Sequence, residues 1–315
     1  VANAVDDKHW AGVNSFYLHA LSSSDQDEVV GNLNDAGVKV VRIFLSSVDA
    51  SAKGSSSIEL LDLEQVEVGE YDDDILDRVD ALMDKLRAQD MKLIVALHDR
   101  YSLGCWASDA YVNKYDLPVT DDCGTAANQP DNFYANSSAV ADFDSRIRYV
   151  LAHKNPYFDN RMWSELDEVV YAFDVENEAQ AYMNTRDPSW MCGRAETIRS
   201  ALGDSGILVG TGGGGAFGDS LEIDYFTCPS LDIVSVHSYA DISEYAARLL
   251  LADTYNKTIV FEEFGKTDSK GEFLSNVWAM TNFYQIPSMP WEVMKPNNPE
   301  DFEFYVDDVA AWDAL

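Results

Sequence analysis

The stretches VVYAFDVENE (169–178) and TIVFEEFG (258–265) decide how the fold of this chain is interpreted. Each is an apolar, β-branched run that leads into carboxylates, with Glu178 closing the first and Glu263 near the end of the second. A carboxylate at the end of a buried strand is costly unless it is solvated, paired or used in chemistry. Two carboxylates side by side are the groups that cleave a glycosidic bond. Their chemistry therefore depends on whether the fold brings the two strand ends together.

The rest of the chain alternates strand-like apolar runs with segments of helical spacing. The strand candidates are 11–18, 39–45, 92–98, 169–176, 206–211, 231–239, 258–263 and 287–294, and clear helical segments are 72–89, 138–153 and 300–315. Eight strands alternating with eight helices predict an α/β fold, a single (β/α)8 TIM barrel. No linker or shift in composition divides the chain, so one catalytic domain is expected over residues 1–315.

The spacing of the two glutamates supports the barrel. Glu178 and Glu263 are 85 residues apart, close to three repeats of about 30 residues each. They should therefore end strands 4 and 7. The loops after strands 2 and 3, residues 46–71 and 99–137, are longer than the others. Both lie on the face of the barrel where such enzymes build their sites.

The chain is strongly acidic, with 22 Lys and Arg against 55 Asp and Glu and a formal net charge of −33 at pH 7. Such a field repels nucleic acid and anionic membrane surfaces, so neither is expected as a partner. A neutral polymer would be unaffected by it. No run of about 18 apolar residues is present, so no membrane span is expected. The chain begins at Val1 without a signal-like segment, and a mature or trimmed form is expected.

The four cysteines lack the CxxC spacing of a zinc site, and their even number permits disulfides. Three pairings exist, and the one that closes two local loops is predicted: Cys105 with Cys123 and Cys192 with Cys228. Asn136 and Asn256 stand in N-glycosylation sequons. Cysteines and sequons together favour a secreted, eukaryotic protein.

Polar and aromatic side chains recur near the predicted strand ends. They are Arg42 in strand 2, His98 after strand 3, His237 and Tyr239 at strand 6, and Trp291 at strand 8. Each has a structural explanation when taken alone, such as a satisfied core histidine, a barrel salt bridge or a packed tryptophan. A buried guanidinium in strand 2 needs a carboxylate partner. One such group per strand at a single rim indicates a binding and catalytic site.

These residues resemble glycoside hydrolase family 5, whose members are retaining β-glycanases on (β/α)8 barrels. The motifs are Asn-Glu at 177–178, Glu-Phe-Gly at 263–265, the arginine in strand 2 and His-x-Tyr at 237–239. The resemblance extends in order from GVNSF to MPWEV. The string Phe-Glu-Glu-Phe-Gly (261–265) is similar to that of fungal-type β-mannanases. Many family members follow Asn-Glu with proline, whereas Ala179 stands here and marks a divergent branch.

The resemblance implies a division of roles. Glu178 would be the acid/base, Glu263 the nucleophile, and Asn177 the residue that binds the sugar 2-hydroxyl. Tyr239 would donate a hydrogen bond to the nucleophile, and Arg42 would keep it ionised. Hydrogen bonds of this kind should lower the pKa of Glu263.

The resemblance also supplies the rest of the sugar subsite. His98 and His237 would lie in the same subsite as the glutamates, and Trp291 would be its aromatic floor. Trp106, beside Cys105, either stacks on a sugar face or packs under its own disulfide. Retention requires the two carboxyl groups to be about 5–5.5 Å apart, a distance that facing strand ends can supply.

Neighbouring carboxylates compete for these roles. Strand alternation is expected to put Glu262 and Glu263 on opposite faces, with only one of them in the barrel mouth. The Glu-Phe-Gly match selects Glu263. Glu176 has the same parity as Glu178 and is expected in the barrel interior or behind the site.

Other motifs suggest different functions, but each of them lacks a feature that its function requires. The glycine run 210–215 fits GxGxxG, which would suit a nicotinamide-dependent reductase, but it follows strand 5 and is expected to permit a close approach of backbone or substrate. Residues 218–221 resemble a GDSL esterase box without its late histidine, and the acids at 72–74 are typical of a helix start. Five scattered histidines without HExxH predict no metal site.

The sequence thus predicts a secreted, monomeric, retaining glycoside hydrolase that acts on a β-linked polysaccharide or oligosaccharide without a cofactor. Endo-β-1,4-mannanase activity is favoured. Endo-β-1,4-glucanase activity and an exo-acting glycosidase or transglycosylase are alternatives, and a carbohydrate-binding barrel without catalysis is an alternative of another class.

Overall fold

Seven parallel strands form most of a barrel in the computed structural model, which describes residues 9–239, 251–298 and 300–315. Each strand pairs with the next along the chain. The strands are β1 Gly12–Asn14, β2 Val40–Phe44, β3 Lys92–Ala96, β4 Val170–Asp174, β5 Leu208–Gly210, β6 Ile233–His237 and β7 Thr258–Glu263. A two-stranded antiparallel ribbon, Lys154–Asn155 with Arg161–Met162, lies outside this sheet.

The segment 287–289 closes the barrel between β7 and β1. Gly12 N donates to Ser288 O (2.9 Å) on one side, and Met289 N donates to Phe261 O (2.9 Å) on the other. The eighth strand predicted over 287–294 is present as this short bridging segment. The predicted (β/α)8 barrel is therefore confirmed.

Helices surround the barrel, and the longest ones follow the strands in sequence. Their bounds are α1 Ser23–Asp35, α2 Asp74–Ala88, α3 Ala110–Lys114, α4 Asp131–Ala135, α5 Ser137–Ala152, α6 Pro188–Leu202, α7 Ile223–Thr227, α8 Lys270–Tyr284 and α9 Val309–Trp312. Single 3-10 turns are Leu18–Ala20, Ala52–Gly54, Arg100–Ser102, Pro156–Phe158, Trp163–Glu165 and Asp219–Leu221.

The helix predictions for 72–89 and 138–153 are confirmed by α2 and α5, and the acids at 72–74 do open α2. The prediction of a helix over 300–315 is wrong, because only Val309–Trp312 is helical there. Phe304 N donates instead to Glu292 O (3.0 Å), and this pairing draws the chain against the segment after strand 8. A helix also follows β5, although α7 has only five residues.

The interior of the barrel changes character from one end to the other. Its lower part is apolar and contains Trp10, Val40, Ile94, Ala172, Ile233, Val260 and Met289. Its upper part, at the carboxyl ends of the strands, holds fully buried polar groups: Asn14, Arg42, Asp174 and Glu262. Buried charges persist only when they are paired. The change from apolar to charged layers therefore places a dense ionic cluster directly beneath the loops.

The disulfides are those predicted. Cys105 pairs with Cys123 inside the loop after β3, with Cα atoms 5.6 Å apart, and Cys192 in α6 pairs with Cys228, with Cα atoms 5.7 Å apart. In the part of the chain that the structure describes, none of the helices combines the length and apolarity of a membrane span.

Candidate active site

A cavity of about 290 Å³ opens at the carboxyl ends of the strands. Its lining combines carboxylates with aromatic rings: Phe16, Phe44, Asp99, Tyr101, Trp106, Asn177, Glu178, Tyr182, Tyr239, Glu263, Trp291 and Phe302. A second cavity of about 570 Å³ shares six of these residues and extends to the loop after β2. The two together form a continuous cleft across one rim of the barrel.

Glu178 and Glu263 meet in this cleft. One carboxylate oxygen of each, together with a ring nitrogen of His237, lie within 4.8 Å of one another. His237 Nδ1 is 2.9 Å from Glu178 Oε1 and 3.3 Å from Glu263 Oε2, so the imidazole bridges the two carboxylates. The fold thus brings together the two strand ends that the sequence places 85 residues apart.

Glu263 is held by Arg42 and Tyr239 as well as by His237. Arg42 Nη1 donates to its Oε1 (2.7 Å), and the Tyr239 hydroxyl donates to its Oε2 (2.9 Å). Burial nevertheless raises the pKa of Glu263 above its ordinary value, although the charges of His237 and Arg42 act in the opposite direction. The expectation that these hydrogen bonds would leave its pKa lowered is therefore wrong, because desolvation and the nearby Glu178 outweigh them.

Arg42 is the hub of the cluster and is fully buried. Its remaining donors reach Asp174 Oδ2 (2.8 Å), Asn177 Oδ1 (3.1 Å) and Asn14 Oδ1 (3.2 Å). Burial and the nearby Glu262 raise the pKa of Asp174 to about 7 despite the contact with Arg42. One guanidinium therefore serves several carboxylates, and the cluster shares its protons.

The backbone that carries Glu178 is unusual. Glu178 has φ +50°, and Gln180 and Tyr182 have φ +58° and +59°. Non-glycine residues adopt this left-handed region rarely and at an energetic cost of order 1–3 kcal/mol each. Glu178 thus leaves the line of β4, and its Oε2 accepts from the Tyr101 hydroxyl at 2.5 Å.

Strand alternation predicts that Glu262 and Glu263 lie on opposite faces, but Glu262 also points into the barrel. Its Oε1 accepts from Ser235 Oγ (2.9 Å) and its Oε2 lies 3.3 Å from Arg42 Nη2. Glu262 keeps the inward parity of Val260, and the register of β6 and β7 shifts so that His237 pairs with Glu263. Both glutamates therefore face Arg42, with Glu262 beneath the site and Glu263 in the mouth.

His98, predicted in the sugar subsite, does not line the cavity. It is fully buried, with Nδ1 2.6 Å from Glu176 Oε1 and Nε2 2.8 Å from Asp109 Oδ2. Burial alone would lower the pKa of His98, but the hydrogen bonds to Asp109 and Glu176 raise that pKa to about 10. These two carboxylates, neither of which lines the cavity, hold the imidazolium away from it. Of the two positions expected for Glu176, its contacts fit the one behind the site, because its Oε2 accepts from the Tyr134 hydroxyl (2.8 Å) of α4.

Arg42 and His237 also do not line the cavity, although substrate contact was predicted for both. Each is at most 1% exposed and reaches the cleft through the glutamates that it contacts. Burial lowers the pKa of His237, but Glu263 and the hydrogen bonds to Glu178 and Glu262 raise it to about 10.

Aromatic rings form the walls. Trp291 stacks on Phe16 and Phe44, with ring centroids 5.3 and 5.8 Å apart. Trp106 is 71% exposed, lines both cavities and lies 4.1 Å from the ring of Tyr101. The ring of Trp106 is therefore exposed on the cleft and is not packed under the disulfide of Cys105.

Sequence reasoning missed several cavity residues: Asp99, Tyr101, Tyr182, Phe302, Phe16 and Phe44. Asp99 directly follows His98, so a search for polar residues one position further past the strand end would have found it. Phe16 and Phe44 close predicted strands and carry the same signal. Tyr101, Tyr182 and Phe302 lie in loops, where no periodicity identifies a side chain that faces the cleft.

The glycine run after β5 packs against the site. A Cβ built on Gly213 would lie 2.2 Å from the ring of His237, so this close approach requires glycine. The expected role of the run is therefore observed. Ser220 of the GDSL-like segment is buried, and its Oγ accepts from His237 N (3.2 Å).

Two groups among the described residues have the geometry to hold a cation. One is Glu178, His237 and Glu263 themselves, and the other is Asp77, Asp80 and His153 at α2. In the second, His153 Nε2 already pairs with Asp80 Oδ2 (2.9 Å), and Asp77 is exposed.

The sequence model of a family described as GH family 5 beta-mannosidase-like matches residues 9–285. The chain is 23% identical over 197 residues to mannan endo-1,4-beta-mannosidase 1 of Arabidopsis thaliana, covering 56% of this chain and 44% of that protein. It is 23% identical over 293 residues to mannan endo-1,4-beta-mannosidase F of Aspergillus fumigatus, covering 83% and 61%. The chain thus spans less than two thirds of either relative.

Solved structures share the fold. The endo-1,4-beta-mannanase from Rhizomucor miehei superimposes with a TM-score of 0.73 at 18% identity, covering 96% of this chain and 92% of that one. A family 5 mannosidase from Rhizomucor miehei gives a TM-score of 0.70 at 16% identity, covering 99% and 95%.

Proposed function

The chain belongs to the β-mannosidase-like proteins of glycoside hydrolase family 5, and we propose from this premise that it is a secreted, retaining endo-β-1,4-mannanase. Its class, a glycoside hydrolase that acts on O-glycosyl bonds, follows from the family. The retaining mechanism, the mannan substrate and the site of action are the proposal.

The observation that carries the mechanism is the closeness of the two carboxylates. Oxygens of Glu178 and Glu263 lie within 4.8 Å of each other. Retaining enzymes keep their carboxyl groups about 5–5.5 Å apart, whereas inverting enzymes separate them by about 6.5–9.5 Å to admit a water. The short separation favours double displacement.

In the first step Glu263 attacks the anomeric carbon while Glu178 gives its proton to the departing sugar oxygen. The C–O bond of the polymer breaks and a glycosyl ester to Glu263 forms. In the second step Glu178 takes a proton from water, whose oxygen replaces Glu263 at the anomeric carbon. Glu263 is assigned the nucleophilic role because Arg42 and Tyr239 both donate to it.

Asn177 is oriented for contact with the sugar. Its Oδ1 accepts from Arg42, and its Nδ2 donates to Asp99 Oδ1 (3.0 Å). One N–H of the amide remains for the 2-hydroxyl of the sugar whose bond is cleaved. Trp291 supplies the apolar floor for that sugar, and Trp106 supplies a platform further along the cleft.

Mannan is proposed because the two curated relatives are named mannan endo-1,4-beta-mannosidases. Endo action is favoured because the cleft continues beyond the catalytic pair into the cavity of about 570 Å³. Two disulfides support a secreted protein. Asn136 and Asn256 are both exposed, as glycosylation would require.

The test is turnover of β-mannan, β-1,4-glucan, galactan and xylan with product sizing, together with NMR of the first anomer released. We expect short manno-oligosaccharides and retention of configuration. Glu263→Ala and Glu178→Ala should lose turnover and keep the fold, while Glu196→Ala, an exposed glutamate on α6, should behave as wild type. Release of the inverted anomer would refute the mechanism. Monosaccharide products alone would indicate exo action, and binding without turnover would indicate a non-catalytic barrel.

A further inference from the structure

Both oxygens of Glu178 are occupied by neighbouring groups. Oε1 is 2.9 Å from His237 Nδ1, and Oε2 accepts a hydrogen bond of 2.5 Å from the Tyr101 hydroxyl. Tyr101 is 6% exposed and lines both cavities of the cleft. A buried hydroxyl on an acid/base carboxylate affects both its direction and its protonation.

Tyr101 is held firmly in this place. The neighbouring Arg100 is 1% exposed and donates to Ala181 O (2.9 Å) and to Asn128 Oδ1 (2.6 Å). Arg100 N also donates to Asn177 O (3.2 Å). These bonds tie the loop after β3 to the segment that carries Glu178.

Trp106 covers the ring of Tyr101 from the solvent side, at a centroid distance of 4.1 Å. Burial and the nearby Glu178 raise the pKa of Tyr101 far above its usual range. The phenol therefore keeps its proton and always donates. The donor is permanent, whereas the carboxylate that accepts from it must gain and lose a proton in every catalytic cycle.

We propose that Tyr101 is a positioning residue for the acid/base: its hydroxyl fixes the carboxyl group of Glu178 toward the leaving sugar oxygen and receives the carboxylate when the proton has been given. This inference rests on the proposed hydrolytic function. It assigns to the loop after β3 a part in leaving-group protonation, in addition to the stacking surface of Trp106.

The variant Tyr101→Phe removes the hydroxyl and leaves the ring under Trp106. The probes are 2,4-dinitrophenyl and phenyl β-mannobiosides. Dinitrophenolate departs without a proton, whereas phenolate needs one. We expect kcat/KM to fall about tenfold or more for the phenyl substrate, the effect of one hydrogen bond to a charged group, and less than about twofold for the dinitrophenyl one. The basic limb of the pH profile should move to higher pH, because a carboxylate that loses a donor holds its proton more tightly.

Tyr111→Phe is the matched control. Tyr111 belongs to the same loop and donates to the buried Glu64 Oε2 (2.9 Å), outside the cavity. It should leave the ratio of the two substrates and the pH profile unchanged, whatever its effect on melting temperature.

The outcomes separate this inference from the proposed function. If the wild type is active and Tyr101→Phe lowers kcat/KM equally for both substrates, or for neither, then the role proposed for Tyr101 is wrong and the proposed function is unaffected. A wild type that turns over neither mannobioside overturns the proposed mannan activity and this inference with it.

Discussion

Arg42 is fully buried among the carboxylates at the barrel mouth, and its replacement by methionine should destabilise the protein in a pH-dependent way. The guanidinium contacts Asp174 (2.8 Å), Glu263 (2.7 Å) and Glu262 (3.3 Å). Breaking a buried ion pair costs about 3–5 kcal/mol, because the remaining charge is left uncompensated. For a chain of 315 residues that loss corresponds to a melting temperature roughly 5–8 °C lower at pH 8.

The pH dependence follows from the carboxylates. The pKa of Asp174 is already raised to about 7, and that of Glu263 is raised as well. At pH 5 these groups take up protons more readily and need the cation less. The difference between wild type and Arg42→Met should therefore shrink at pH 5 and grow as the pH rises past 7.

The assay is thermal unfolding of both proteins at pH 5 and pH 8, with turnover measured on the folded fraction. Arg146→Met is the matched control, because Arg146 is equally buried and pairs with Asp62 (2.7 Å) beneath the loop after β2. It should lose stability to a similar extent but keep turnover per folded molecule, whereas Arg42→Met should lose both. An equal drop in melting temperature at the two pH values would refute the role assigned to the carboxylate cluster.

Two further predictions concern the cleft and its surroundings. Trp106→Ala should raise KM roughly three- to tenfold, the effect of one lost stacking contact, with kcat and melting temperature nearly unchanged because the ring is 71% exposed; an unchanged KM on the polymer would contradict its role as a platform. Glu292, 3.0 Å from Lys53 Nζ, has its pKa raised by burial to about 7. Because the folded state then binds the proton more tightly than the unfolded one, stability is lost as the pH rises from about 4.5 to 7, by about 3 kcal/mol. Glu292→Gln should flatten the fall of melting temperature over that window, and a slope as steep as that of wild type would count against this explanation.

The barrel and the meeting of Glu178 and Glu263 in one cleft could be predicted because both depend on simple regularities. Strands of a parallel barrel present their carboxyl ends at one face. Glu178 and Glu263 stand at such ends, and their spacing matches whole repeats. Tyr239 was found in the same way, and the structure places its hydroxyl on Glu263.

The remaining features depend on local departures from regularity. A register shift between β6 and β7 decides that Glu262 and Glu263 both face Arg42, which strict alternation forbids. His98 and Asp99 are adjacent, yet only Asp99 lines the cavity, because two buried carboxylates hold His98 away from it. Tyr101 lies in an irregular loop, where contacts distant in sequence determine its position.

The left-handed backbone at Glu178 has a consequence for protein engineering and for the divergence of this chain. A proline forces the residue before it toward extended conformations. Glu178 has φ +50°, so its conformation is incompatible with a proline at 179. Ala179 is therefore coupled to the way in which this chain presents the Glu178 carboxylate, and restoring the proline that is common in the family would require the segment after β4 to be rebuilt. A consensus substitution that is safe in a relative would here redirect the carboxylate.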